Sequence, residues 1–184
     1  MTDKFGCYEE RYEHFLMACE ANSIDLTNEF DKWLDINGFF TAPASTKYHG
    51  VYDGGLFDHS WAVFGRLAEL SDNNHLQWNR PQSPFIIGMF HDLCKCDQYI
   101  KVQDDAGSHY EYNTNTILKG HGAKSVMLLS QFMTLTEEEM LCIRYHMGAY
   151  EKDEWQELGL AIKIEPKILY THLADMLASH VDNT

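Results

Sequence analysis

The stretch that most constrains this chain is Ile86-Ile87-Gly88-Met89-Phe90-His91-Asp92-Leu93-Cys94-Lys95, a nearly unbroken apolar run that ends in charge. Pro84 stands just ahead of it, and its fixed φ and missing N–H suit a first helical position. A helix that is apolar all round is a buried one. Burying His91 and Asp92 at its end is costly, because a carboxylate in a dry interior needs a partner or a metal to replace its lost hydration. Neighbouring side chains on a helix diverge by about 100°, so the two residues cannot face one point in the same way. The two oxygens of Asp92 could still touch one ion beside His91 and a second ion on the other side. For the dipeptide taken alone, a buried ion pair at a helix end is the plainer alternative.

The rest of the chain reads as helices that carry more such groups inward. Periodicity covers 7–21, with Phe15, Leu16 and Cys19 on one stripe, and 26–37, with Leu26, Phe30, Trp33, Leu34 and Asn37. Ser23 or Asp25 is the expected cap of the second helix and Gly38 its C′ residue. Residues 39–55, with Pro43, Gly50, Gly54 and Gly55, are expected to loop toward the site. Leu56 to Leu70 is amphipathic and sets His59 with Leu56 and Val63. Tyr99–Val102 and His109–Tyr112 flank an Asp105-Ala106-Gly107 turn and read as a β-hairpin. Gly120-His121-Gly122 opens a helix to about Met133, with His121 on the face of Ser125, Leu128 and Phe132. Thr136-Glu137-Glu138-Glu139 is a capping box for a helix through His146, whose face includes Cys142 and Ile143. Residues 149–164 are ambiguous, with Trp155, Leu158, Leu160 and Ile162 compatible with one short helix. Pro166 opens the last helix, 166–181, and Asp175 follows Ile168 by almost two turns, on the apolar face. The expected class is all-α with a small β-hairpin excursion near residues 97–115.

Composition bounds the partners. With 184 residues and 45% hydrophobic content, one domain with a sizeable core is expected. The net charge is −14, and the 14 basic residues form no run, so the clustered cations that track a long phosphate backbone are missing. That argues against long nucleic acid and for a small phosphorylated ligand neutralised by metal. No apolar run approaches the ~20 residues that span a bilayer, and the polar N-terminus is no signal peptide, so a cytoplasmic protein without membrane attachment is expected. The five cysteines have no framework spacing and read as reduced thiols; Cys94-Lys95-Cys96 is taken as ordinary packing.

A single inward histidine is most often a satisfied core residue. Four of them (His59, His91, His121, His146) with two inward aspartates (Asp92, Asp175) exceed what a domain of this size buries without a ligand. Imidazole mixed with carboxylate suits Mn, Fe, Ni, Co or Zn more than Ca. The order His, His-Asp, His, His, Asp resembles the HD-domain superfamily of metal-dependent phosphohydrolases. The carrying segments are Gly54-Gly55-Leu56-Phe57-Asp58-His59, His91-Asp92-Leu93-Cys94-Lys95 (with Cys94 where glycine is common), Gly120-His121-Gly122, Ile143-Arg144-Tyr145-His146 and His172-Leu173-Ala174-Asp175. The resemblance spans residues 54–180, leaving 1–53 as a helical N-terminal extension of a single HD-type domain, 1–184.

The resemblance implies a helical bundle that binds two divalent metal ions. His59, His91, Asp92 and Asp175 would hold the first ion, and Asp92 would bridge to a second held by His121 and His146. Asp92 and Lys95 would be the catalytic pair, with Lys95 also contacting phosphate. Lys124 and Arg144 are further substrate contacts, His172 would orient Asp175, and His49 and Tyr48 are loop candidates for the pocket. The implied activity is hydrolysis of a phosphoester in a nucleotide or related small phosphorylated metabolite. Two alternatives share the ligand set: an HD-type di-iron oxygenase acting on a polyol or phosphonate, and a 3′-end oligonucleotide phosphodiesterase. A third is a binding module that keeps the metals without turnover.

Overall fold

The computed structural model describes residues 5–105, 107–118, 120–150, 155–182 and 184. Helices α1 (Tyr8–Ala21), α2 (Asn28–Ile36), α3 (Gly55–Asn73), α4 (Ser83–Phe90), α5 (Gly122–Leu129), α6 (Glu137–Arg144), α7 (Trp155–Ile164) and α8 (Lys167–Leu177) form most of the fold. Strands β1 (Tyr99–Asp104) and β2 (Gly107–Tyr112) make an antiparallel hairpin with Tyr99 opposite Tyr112 and Asp104 opposite Gly107. The expected class, helical with a small hairpin, is what is found. No described helix is long and apolar enough to cross a membrane. Residues 151–154, within the ambiguous 149–164 stretch, lie outside the described residues.

Helix ends differ from the sequence reading in instructive ways. The cap of α2 is Thr27, whose hydroxyl accepts from the Phe30 N–H at 3.2 Å, and not Ser23 or Asp25. Ser23 instead takes a left-handed φ of 54° in the turn after α1. Gly38 occupies the expected C′ position with φ 77°. The α5 and α8 helices stop at Leu129 and Leu177, short of the expected Met133 and Val181. Beyond them, Phe132 and Met133 both donate to the Leu129 carbonyl, and Ala178–Asp182 forms a wide π-type turn.

The capping box at Thr136 is present, and its acidic residues do more than cap. Glu139, fully buried, accepts from Arg80 at 2.7 and 2.8 Å, Ser83 at 2.8 Å and the Thr136 N–H at 2.9 Å. Glu138 accepts from the Asn79 N–H at 3.0 Å and pairs with Lys167 at 2.7 Å. Thus α6 is pinned both to the turn that starts α4 and to α8.

The N-terminal helices enter the same core as the rest. Phe15 of α1 is fully buried, with its ring 5.4–6.5 Å from those of Phe39, Phe40, Phe57, Phe85 and Phe90. Beside it, Arg11 forms a buried pair with Asp58 of α3 at 2.8 Å, and Tyr52 donates to the same carboxylate at 2.9 Å. Gly54, at φ 90°, lies against that guanidinium, where any Cβ would be 2.2 Å from the Arg11 Cζ. Helices α3 and α4 meet just as closely: a Cβ at Gly88 would lie 2.4 Å from the Phe64 Cα. Backbone against backbone, they bring the His59 and His91 rings to 5.3 Å.

Candidate metal centre

Each candidate ligand arrives from a different place. His59 lies in the N-terminal part of α3 and Asp175 in α8. His91 directly follows α4, and Asp92 leaves helical geometry at φ −106°, ψ 22° before a 3-10 turn, Leu93–Cys96. The break overcomes the 100° divergence of a regular helix: His91 Nε2 lies 3.4 Å from Asp92 Oδ2. His146 is likewise beyond its helix, two residues after α6, and not inside it as the periodicity suggested.

The imidazoles share one tactic. His91 Nδ1 bonds the Gly88 carbonyl at 2.9 Å, His146 Nδ1 the Ile143 carbonyl at 2.7 Å, and His59 Nδ1 the Thr184 carbonyl at 3.2 Å. A carbonyl only accepts, so each Nδ1 carries the proton and each Nε2 presents a lone pair. All three Nε2 atoms are buried without a hydrogen-bond partner, as is Asp92 Oδ1. Polar atoms left so in an interior cost free energy. His146 Nε2 lies 3.5 Å from Asp92 Oδ1, while His59 Nε2 lies 3.7 Å from Asp92 Oδ2 and 3.1 Å from Asp175 Oδ1. Nitrogen and oxygen ligands about 2.0–2.2 Å from a common ion stand roughly 3–3.5 Å apart, close to these separations. The residues therefore fit a cation. Groupings of donor atoms within 4.8 Å of one another comprise His59 with His91 and Asp175, His91 with Asp92 and His146, and Asp92 with Cys94 and His121.

Charge points the same way. Burial acts to raise the Asp92 carboxyl, but Lys95 and then His91 outweigh it and hold it well below the ordinary carboxylate range. Burial likewise opposes ionisation of Asp175, and the His59, His91 and His146 rings lower its pKa only in their imidazolium form, a role that a bound cation would take over. Lys95, only 7% exposed, lies 2.6 Å from Asp92 Oδ2. Burial disfavours its ammonium, and Asp92 reverses the effect and raises its pKa. One buried and one partly buried carboxylate against one ammonium leave a net negative charge that favours a cation.

The remaining candidates divide. His121, half-buried at the start of α5, comes within the Asp92–Cys94 group, its Nδ1 3.7 Å from Cys94 Sγ, and not into the group that contains His146. Lys124 is buried and ion-paired with Asp97, so its charge is already matched. Arg144 points away, 43% exposed, with Glu157 at 3.2 Å and over the Tyr145 ring. His172 bonds the His146 carbonyl at 2.7 Å, so it braces the His146 turn where the sequence reading had it orienting Asp175. Tyr48 is 88% exposed. The His49 ring lies tilted against that of His59, centroids 4.8 Å apart, with its Nε2 buried and unpartnered. Burial, with His59 and Lys95 nearby, pulls its pKa down to about 3, so it faces the site as a neutral ring. Cys94, expected from its C-x-C spacing to be ordinary packing, lies beside His121 and Asp92; its place two residues after Asp92 is the one sequence feature that points there.

Cavities open to ligands are found among the described residues. One, of about 180 Å3, is lined by Gln98, Tyr112, Asn113, His121 and Lys124 among others, and so adjoins the ligand cluster. The larger, about 340 Å3, lies between Ser23–Thr27, Arg80 and Phe132–Thr134 and includes none of the cluster. No family model matches the chain, and neither does any curated protein or solved structure.

Proposed function

We propose that the chain is a metal-dependent phosphohydrolase that cleaves a phosphoester of a nucleotide or related small phosphorylated metabolite at a dinuclear centre. The observation that carries this reading is the convergence of His59, His91 and His146 Nε2 with Asp92 Oδ1, all buried and unpartnered, each ring held by a carbonyl behind it. The ordered motif set, with its resemblance to HD-type enzymes, supplies the reaction class. Asp92, whose Oδ2 faces His59 and His91 and whose Oδ1 faces His146, would serve both positions; His59, His91 and Asp175 would complete one, and the resemblance implies His121 and His146 for the other.

A divalent ion held there would supply positive charge that lowers the pKa of water from about 15.7 toward 7 and neutralises a phosphoryl oxygen. The protein's own groups do the rest. Lys95 keeps Asp92 ionised and holds a cation at the edge of the cluster, available to a phosphate oxygen. The carbonyl contacts fix the His59, His91 and His146 rings and so limit the reorganisation that the reaction requires. The cavity beside His121 offers amide and hydroxyl groups from Gln98, Asn113 and Tyr112 to the part of the substrate that does not react. At about 180 Å3 it lies below the ~300 Å3 of a full small-molecule pocket and would take only part of the substrate, and the net charge of −14 disfavours a long polyanion.

The test is elemental analysis of the purified protein together with a screen of nucleotides, other phosphomonoesters and phosphodiesters, supplemented with Mn, Co, Zn or Fe and run with and without oxygen. Phosphate or nucleotide release that survives anaerobiosis supports the hydrolase. Turnover of a polyol or phosphonate that needs iron and consumes oxygen would transfer the site to oxygenase chemistry.

A further inference from the structure

The 3-10 turn after Asp92 sets a sulfur where the proposed centre calls for a ligand. Cys94 is fully buried, and its Sγ lies 3.7 Å from His121 Nδ1 and 3.7 Å from Gln98 Oε1. A carboxylate oxygen of Asp92 comes within 4.8 Å of both Sγ and the His121 nitrogen, and Asp92 Oδ1 has no hydrogen-bond partner. The arrangement is held from behind: the Cys94 N–H donates to Ser125 Oγ at 3.1 Å, and Ser125, fully buried, sits on α5 one turn after His121. The turn that carries the thiol and the helix that carries the imidazole are thereby docked at a fixed spacing.

That spacing is informative. With a metal–sulfur bond of about 2.3 Å and a metal–nitrogen bond of about 2.0–2.1 Å at a tetrahedral angle, the two donor atoms stand roughly 3.6 Å apart. The observed 3.7 Å needs almost no adjustment. A hydrophobic role would set the sulfur among hydrocarbon, whereas here it faces an imidazole, an amide and a carboxylate.

Resting on the dinuclear reading above, we infer that Cys94 is itself a metal ligand, which with His121 and Asp92 makes the second position a sulfur-containing subsite. On binding, the S–H bond breaks, its proton leaves to solvent, and the sulfur lone pair goes to the ion, with no change of oxidation state. Thiolate beside imidazole selects borderline and softer ions, Zn(II), Co(II) or Fe(II), and disfavours Mg(II) and Ca(II). The two positions of the centre are therefore chemically unequal: nitrogen and oxygen donors on one side, sulfur on the other.

Cobalt(II) titrated into the metal-stripped full chain tests this directly. An intense thiolate-to-cobalt charge-transfer absorption in the near ultraviolet is expected in the wild type and in Cys7→Ser, Cys96→Ser and Cys142→Ser. It should vanish in Cys94→Ser, which should bind one cobalt fewer per chain with an unchanged circular dichroism spectrum. Cobalt that binds with ligand-field bands alone overturns the role of Cys94 and leaves the metal centre standing. A band that survives in Cys94→Ser, or disappears in one of the other three variants, overturns the assignment as well. Failure to bind cobalt, zinc or iron at all removes this inference together with the reading beneath it. If Cys94→Ser does not fold, the wild-type spectrum and the other three variants still decide.

Discussion

Asp92 is the residue on which the electrostatics of the site turns. One oxygen receives the Lys95 ammonium at 2.6 Å, the other faces His146 at 3.5 Å, and the side chain is 3% exposed. Asp92→Ala should abolish metal binding at both positions, read by elemental analysis. It should also destabilise the fold by about 3–5 kcal/mol, because Lys95 is left buried without its counter-charge. Full metal content in that variant would refute the site assignment. Lys95→Met separates a role in chemistry from a role in binding. It removes a cation from a cluster of net negative charge, so metal content should hold or rise. Turnover should fall by about 10²-fold, in line with the loss of one preorganised group acting on the transition state. An equal loss of metal would make Lys95 a structural partner of Asp92 and no more.

At the scale of elements, packing between helices matters more than their individual lengths. The α3–α4 contact at Gly88 leaves no space for a methyl group, and the obstacle is the Phe64 backbone, which cannot rotate aside. Gly88→Ala should therefore cost about 1–3 kcal/mol or more, measured by urea unfolding. Because these two helices hold His59 and His91 at 5.3 Å between ring centroids, metal affinity should fall as well, by calorimetric titration. A variant that loses stability but keeps full affinity would show that the site tolerates their separation. Periodicity identified the helices because buried apolar stripes repeat every turn: Phe30 and Leu34 line α2, and Leu56, Val63 and Leu67 line α3. Hairpin and capping box were legible too, since turn and cap chemistry is local. The exact ends were not. Thr27 outcompeted two equally good caps, and His91–Asp92 and His146 fall just past helix ends, where side-chain direction depends on tertiary partners. Cys94 escaped for the same reason: its neighbour His121 is 27 residues away in sequence.

Across the whole molecule, ion pairs between distant segments tie the edges down. Arg66 of α3 grips Asp182 with bonds of 2.6 and 2.8 Å, fastening the turn after α8. Asp53 accepts from Lys101 and Tyr110, fastening the hairpin to the loop before α3. Arg66 lowers the Asp182 carboxyl below its ordinary value. A depressed carboxylate contributes stability that is present above its unfolded pKa, about 3.9, and is lost as pH falls through its folded value. Asp182→Asn should thus cost about 1 kcal/mol near neutrality, and the gap to wild type should close below about pH 4. Parallel urea titrations across that range check it, and a constant gap would mean the pair's charge is irrelevant.

The buried Arg11–Asp58 contact has a practical corollary for anyone who wishes to trim this protein. Cutting away the first fifty residues would leave Asp58, which adjoins His59, buried without its counter-charge and with only the Tyr52 hydroxyl as partner, and would strip the Phe15 ring from Phe57 and Phe85. A minimal folded fragment is consequently not to be had by deleting the leading helices; what looks in the primary sequence like an appendix is the floor on which the first imidazole stands.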